Sequence, residues 1–371
     1  MDSHKVALLV DGKEYAGWKT ISISAGVERQ ARDFDLAITW RWPESGGEAH
    51  KIKLGSRCEV KIGGDLVLTG YVFATPISYD ARQVTLGVSG RSLTADVVDC
   101  SAARNQWRRQ SVADVVKALV QPYGITVVNQ VSDAISIVDH QVDPGETVFA
   151  SIDRLLSASA LLSTDDEYGR LVLADLGSAG RATDEIRLGE GGNVLSGGAE
   201  FDFSQVFSEY ECIGQKSGDD DSFGEGASEV QALASDDRIA RYRNLTVEPQ
   251  GQVTTAIAAR RVNWERGSRM GRALKAEYVI LGWRQSDGSL WRHNMIVRVV
   301  DSMMGFDRDM LIVEIKYVLD EQGTRCECVV APPEMVAPEP QAPKKGKKSG
   351  KKGKSGDSFE YLLPEDWEKK L

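Results

Sequence analysis

The stretch GRSLTADVVDCSA, residues 90–102, decides how the chain divides. It sets Asp99, Cys100 and Ser101 behind a glycine turn and a short apolar spacing, so two readings compete: a reactive Cys100, or a joint between folding units. A nucleophilic thiol needs a neighbouring base to lower its pKa, usually a histidine, and a third group to orient that base. The histidines are His4, His50, His140 and His293, scattered and in no catalytic pattern. Leu93, Val97 and Val98 instead have the spacing of a short helix packing inward, which favours a buried structural cysteine.

Upstream of this stretch the pattern is one of strands. VALLVDG, KTISISAGV, DFDLAITW, CEVKIGG, LVLTGYV and QVTLGVSG are short, alternating and separated by Gly and Asp turns, as in a barrel or sandwich. Downstream the period changes. In SVADVVKALVQPYG, Val112, Val115, Val116, Leu119 and Val120 share a helical stripe, with Ser111 as N-cap and Gly124 as stop. A second helix follows in ETVFASIDRLLSASALL, then a strand, turn and strand in LLSTDDEYGRLVLADL. Strands resume from Ile186 and are clearest in KAEYVILGW, NMIVRVVDS, MLIVEIKYVL and RCECVVAP, with one helix expected in QVTTAIAARRVNWERGSRM. A faint repeat links KLGSRCEVKI and LVLTGYV to LWRHNMIVRVVD and MLIVEIKYV.

The fold class expected is β-rich α+β: two related tube-type β-barrel domains, an inserted small α/β domain and a flexible C-terminal tail. The boundaries are 1–100 for the first barrel, 101–178 for the α/β unit and 179–335 for the second barrel. A Pro- then Lys/Gly/Ser-rich linker covers 336–358 and a terminal peptide 359–371.

With 371 residues the chain is long enough for several compact units without staples. Five cysteines, odd in number and without a basic-then-apolar leader ahead of them, point to synthesis in a reducing cytoplasm. No apolar run reaches the ~18 residues of a membrane span, so no membrane insertion is expected. The net charge of −10 is uneven: residues 344–371 carry nine Lys against five Asp/Glu, leaving −14 on residues 1–343. A body that acidic disfavours wrapping nucleic acid but suits a surface past which DNA slides.

The remaining chemical motifs read as structure. Cys326 and Cys328 form CxC, which puts both thiols on one strand face without the second ligand pair of a zinc site. Asp219, Asp220 and Asp221 lie in a glycine-rich loop that lacks the alternating ligands of a calcium loop. Asp165, Asp166 and Glu167 precede a hairpin turn, where acids are ordinary. GKKGKS near residue 353 lacks the first glycine of a phosphate loop. No catalytic residue, metal or cofactor is therefore expected. Phe359, Tyr361, Leu362, Leu363 and Trp367 return bulky apolar side chains after the linker, as in a tethered partner-binding anchor.

Set between a β region and an α/β unit, GRSLTADVVDCSA resembles the tail hub proteins of contractile-tailed bacteriophages, the Mu-like baseplate hub family. The resemblance covers about residues 5–335. It rests on Gly90-Arg91-Ser92, Thr94-Ala95-Asp96 and Val98-Asp99-Cys100-Ser101-Ala102, followed in order by SVADVVKAL, IDRLLSASALL and LWRHNMIVRVVD. It turns the opening question toward a joint carried by Gly90, Arg91, Ser92, Asp96, Asp99 and Cys100.

The resemblance implies a non-enzymatic structural hub: a homotrimeric ring that adapts a sixfold tail tube protein to a trimeric central spike protein. It also implies wedge or tape-measure proteins as neighbours and DNA only in transient passage through the channel. The place implied is the virion tail baseplate, assembled in the host bacterial cytoplasm. The rivals are the hub of a tailocin or type VI-like injection system and, from another class, a tail-associated cell-wall hydrolase.

Overall fold

Alternating burial makes the N-terminal strands. In β1 (Val6–Val10) the residues Val6, Leu8 and Val10 are buried, and β2 (Lys13–Ala16) returns through Asp11-Gly12, both at positive φ, the conformation a tight hairpin turn demands. Strands β3 (Thr20–Gly26), β4 (Asp33–Arg41), β5 (Arg57–Ile62), β6 (Asp65–Ala74), β7 (Ile77–Tyr79) and β8 (Gln83–Ser92) complete the first β unit. The computed structural model describes residues 5–41, 52–81, 83–131, 139–158, 161–215, 229–249 and 255–339.

The chain then enters α1 (Ala95–Asp99), β9 (Gln106–Arg108), α2 (Val112–Val120), β10 (Val127–Asn129), β11 (Asp139–Gln141), α3 (Val148–Ala158), β12 (Leu162–Asp165) and β13 (Leu171–Ala174). The Ser111 hydroxyl accepts the Asp114 amide at 3.1 Å and caps α2, and Gly124 at φ +67° turns the chain away after a single 3₁₀ turn. Both helices turn apolar stripes onto one core with Leu171 and Leu173. The expected helices and the strand, turn and strand of this unit are all present.

The C-terminal part adds β14 (Ile186–Arg187), β15 (Val194–Gly198), β16 (Glu209–Gln215), β17 (Glu229–Ser235), β18 (Asn244–Val247), α4 (Thr255–Ala273), β19 (Ala276–Leu281), β20 (Ile296–Asp301), β21 (Phe306–Asp320) and β22 (Gly323–Ala331). Not all of these strands join the main sheet. β17, β16 and β18 form a separate sheet around Tyr210, Cys212 and Val230, packed on Ala258 and Val262 of α4.

The two β regions share one architecture. β5–β6–β8–β4–β3 and β20–β21–β22–β19–β15 run in the same order with every neighbour antiparallel. Their registers coincide. Val72 faces Gly90 and Ala74 faces Ser89 around a bulge, as Ile312 faces Val330 and Glu314 faces Val329. Beyond the bulge Ile77 faces Leu86 as Tyr317 faces Cys326. The faint sequence repeat thus marks two equivalent hairpins, β5–β6 and β20–β21.

Pairing of β3 with the second half of β21, from Ile21–Leu319 to Gly26–Glu314, joins the units edge to edge in a 14-stranded sheet. They share one core, in which Trp283 and Trp291 are the largest buried side chains. Arg284 ties the units further by donating to the Ile62 carbonyl at 2.9 Å and to Asp65 at 2.7 Å.

The architecture is β-rich α+β, as expected. Two closed barrels are not seen among the described residues. The pairing path is open, running from β15 to β2, and the β3 edge of the first unit pairs with the second half of β21 instead of with a strand of its own unit. The Asp219–Asp221 loop, the lysine tract and the anchor residues Phe359, Tyr361, Leu362, Leu363 and Trp367 lie outside the described residues.

Candidate functional site: the joint between the units

Residues 90–102 run from the end of β8 through α1 to Ser101, which bridges Thr147. Gly90, Arg91 and Ser92 end β8, Asp96 and Asp99 lie in α1, and Cys100 caps that helix by donating its amide to the Asp96 carbonyl. Glycine is required at position 90: a Cβ there would stand 2.2 Å from the Tyr71 carbonyl oxygen and 2.6 Å from Phe34. Arg91 and Asp99 pair at 2.7 Å on the surface. In α1, Ala95 and Val97 are fully buried and Val98 is half-buried, as is Leu93 just ahead of the helix. Cys100 is half-buried, so the expectation of a buried cysteine holds only in part.

The strongest interactions of the joint come from residues outside that stretch. Asp165, at the end of β12, has a fully buried carboxylate that accepts from Arg32 Nε at 3.0 Å and from the Arg32 amide at 3.0 Å. Arg32 also donates to the carbonyls of Asp165 and Val67 at 3.0 and 2.9 Å, which fixes its guanidinium against both units. Burial pushes the Asp165 carboxyl above its ordinary value, against the pull of Arg32. The reading of Asp165 as an ordinary turn acid is corrected here; Asp166 fills that role, accepting the Tyr168 and Arg170 amides.

Around this pair the network is complete. Thr94 donates to the Gln30 carbonyl at 2.8 Å and lies 2.7 Å from the Ser92 hydroxyl, and Ser163 donates to Gln30 Oε1 at 2.6 Å. The second β unit joins through His293, whose Nε2 lies 3.1 Å from the Thr164 hydroxyl. Burial, reinforced by Arg32 and Arg292, pulls the His293 imidazole down to about 3, so it is neutral at neutral pH.

Asn294, at φ +61°, accepts the Gly177 amide at 2.7 Å and donates to the Asp175 carbonyl at 3.1 Å. A cavity of about 240 Å³ is lined by Arg32, Asp165, His293, Asn294 and Tyr317, where the three units meet. Sequence reasoning missed Arg32, Gln30, Thr164 and Asn294. Each is an ordinary residue locally, and only packing brings them together.

The arrangement is a set of buried hydrogen bonds and one ion pair that ties the three units together. His140 bonds Ser151 and His293 bonds Thr164, so neither ring serves Cys100 in the contacts described. Cys326 and Cys328 share a strand face with sulfurs 3.8 Å apart, both buried, and burial pushes the Cys326 thiol well up. No group of three or more His, Cys, Asp or Glu side chains placed to hold a metal occurs among the described residues.

Three family descriptions match in chain order. Residues 5–92 match the N-terminal domain of Mu phage baseplate assembly protein GpP-like proteins. Residues 94–175 match the second domain of baseplate hub protein gp44-like proteins, and residues 254–339 the fourth domain of Mu phage baseplate assembly protein GpP. Baseplate hub protein gp44 of Escherichia phage Mu is 29% identical over 343 residues, covering 90% of this chain and 89% of that protein.

The 43 kDa tail protein of prophage MuSo2 from Shewanella oneidensis has a similar crystal structure, with TM-score 0.80 and 32% identity over 90% of this chain and 99% of that one. A tail protein from Neisseria meningitidis MC58 shares the fold with TM-score 0.72 and 22% identity, over 91% of this chain and 99% of that one. A component of the Escherichia coli type VI secretion system shares it more distantly, with TM-score 0.52 and 12% identity over 88% of this chain and 76% of that one.

Sheet, joint and relatives together define a structural protein of a phage tail. The chain belongs to the Mu phage baseplate hub protein gp44/GpP family and is a baseplate hub protein of a Mu-like contractile tail.

Proposed function

We propose that the chain forms a homotrimeric ring in which two equivalent β units per copy meet the sixfold tail tube and the ring's threefold face seats a trimeric spike. The observation that carries this reading is the matched order and register of β5–β6–β8–β4–β3 and β20–β21–β22–β19–β15. A trimer of such chains presents six similar units without six copies, which is how one ring reconciles two symmetries.

The polar sheet face supports a channel for DNA or a tape-measure protein. Asp33, Asp35, Glu277, Glu314 and Glu327 outnumber Arg29, Lys275 and Lys316 there, so a polyanion meets little to hold it. Native mass measurement of the purified protein, alone and with its spike, should find three copies; a stable monomer or hexamer in the assembled particle overturns the reading.

Residues 359–371 are the anchor in this reading. The chain before them is strapped along α4: Trp264 Nε1 donates to the Ala337 carbonyl at 2.6 Å, and Arg261 pairs with Glu339. Gly271 leaves room for Met335 to lie against the helix, where a Cβ would stand 2.7 Å from its amide nitrogen. Up to Glu339 the described chain thus runs toward the N-terminal half of α4, and in this reading Phe359, Tyr361, Leu362, Leu363 and Trp367 dock on a neighbouring protein of the baseplate. Deleting residues 359–371 should leave a folded ring that is poorly retained in the particle.

A further inference from the structure

The α/β unit shares neither a strand nor a core with the β units. Among the described strands, β9 to β13 pair only with one another. The core under α2 and α3 draws on residues 93–173 alone. Apolar contact across the joint is confined, among the described clusters, to half-buried Leu162 and Leu176 beside Val27, Leu311 and Val313.

What holds the unit in place is therefore polar. Besides the Arg32–Asp165 pair and the His293–Thr164 contact, the Thr69 hydroxyl donates to the Glu167 carbonyl at 2.9 Å, and Gln30 Nε2 donates to the Thr164 carbonyl at 3.4 Å. The cavity of about 240 Å³ lies on this seam, lined by Ala25 from β3 and by Ala174 from β13. Its charged and amide side chains make it a place for water. Exchanging such hydrogen bonds for bonds to water costs little net, and parting the ion pair returns both charges to water, whereas opening either core exposes apolar surface. A polar seam between two self-contained cores is the weakest plane in the chain.

We propose that the α/β unit undocks from the β units as one body, opening at this seam while its own core, the main core and the β3–β21 pairing stay intact. Two short links, residues 92–94 and 175–181, keep it tethered. Asn294 holds the second link at Asp175 and Gly177. A protein that binds the undocked form better than the docked one shifts the unit outward without parting the sheet. This device is independent of the copy number of the ring.

The test uses the full chain with Cys100→Ser, the other four cysteines being buried, and a maleimide dye too bulky for the cavity. Ala25→Cys and Ala174→Cys, at sites 5% and 2% exposed, put one thiol on each body without removing a side chain that bonds across the joint. Val116→Cys, fully buried in α2, reports unfolding of the α/β unit itself. The two seam thiols should react at similar rates, at least about tenfold faster than Val116→Cys and the native Cys58 and Cys326. Adding Arg32→Ala should speed both by about a hundredfold, because the closed form then buries Asp165 without its cation, and should leave Val116→Cys the slowest. Seam thiols no faster than Val116→Cys overturn the proposal, since the seam then opens only when the unit unfolds. Labelling at one seam site alone, or at rates that Arg32→Ala leaves unchanged, is static access and overturns it equally. Hydrogen exchange repeats the test in the wild-type chain: the Arg32 amide, which Asp165 accepts across the joint, should exchange at least about tenfold faster than the Leu119 and Val120 amides of α2. Equal protection overturns the proposal.

Discussion

The two β units build the same register from different residues. In the first, Phe34 faces Gly90 across β4 and β8; at the equivalent place in the second, Ala276 faces Val330 across β19 and β22. The bulk has moved from one strand to its neighbour, and the layer between them stays filled. Likewise Pro76 beside Gly87 in the first unit corresponds to Lys316 paired with Glu327 at 3.3 Å in the second. Core volume and strand parity are what the architecture holds constant, and side-chain identity is free to trade across a pair. This is why the internal repeat is faint in the sequence and plain in the strand register.

The units also differ in how they hold the α/β domain. The first uses a buried charge pair, Arg32 with Asp165; the second uses neutral contacts from His293 and Asn294. The sharpest way to break this contrast is Arg32→Ala, which leaves Asp165 buried without its cation. It should cost about 3–5 kcal/mol in chemical denaturation, well above the effect of Asn294→Ala.

Next in size is Gly90→Val, which puts into the first unit the valine that the second carries. It should cost about 2–3 kcal/mol through collision with Phe34 and the Tyr71 carbonyl. Adding Phe34→Ala should recover part of that loss, because it reproduces the partner found in the second unit; no recovery would break the proposed equivalence of the two pairs.

The neutral side of the joint has a pH signature. His293 is held at about 3 against an ordinary 6.5, so the unfolded chain binds a proton that the folded chain refuses. Its contribution is whole above pH 6.5 and is lost as pH falls from there toward 3, amounting to about 2 kcal/mol at pH 5. Asp165, raised by burial, slopes the opposite way, so the comparison to make is wild type against His293→Gln at pH 7 and pH 5. The variant should lose less stability on acidification.

The smallest effect belongs to Lys316→Ala. It removes a half-exposed ion pair that the first unit manages without, and should shift stability by about 0.5 kcal/mol or less.

Much of the local structure was legible because it is governed by neighbours in sequence. Ser111, the valine and leucine stripe of 112–120 and Gly124 specify α2 from start to stop. The alternation in CEVKI specifies β5, and the CxC spacing puts Cys326 and Cys328 on one face. The change of period after Gly90 likewise marked where strands give way to helices.

The path of the sheet was not legible. Nothing in ISISAG or EIKYVL names the other as partner, since any two alternating strands offer the same backbone donors and acceptors. The separate sheet of β16, β17 and β18 was hidden for the same reason: its strands alternate as the others do, and only their packing on α4 removes them from the main sheet.

Asp165 shows the division most clearly. From its neighbours it is one acid of a turn, and it becomes the buried centre of the joint only because Arg32, 133 residues away, arrives opposite it. The sequence by itself determined elements, caps and faces, whose energies are local. Only the tertiary structure decided which edges join and which charges meet, because those terms depend on distances that the chain sets by folding.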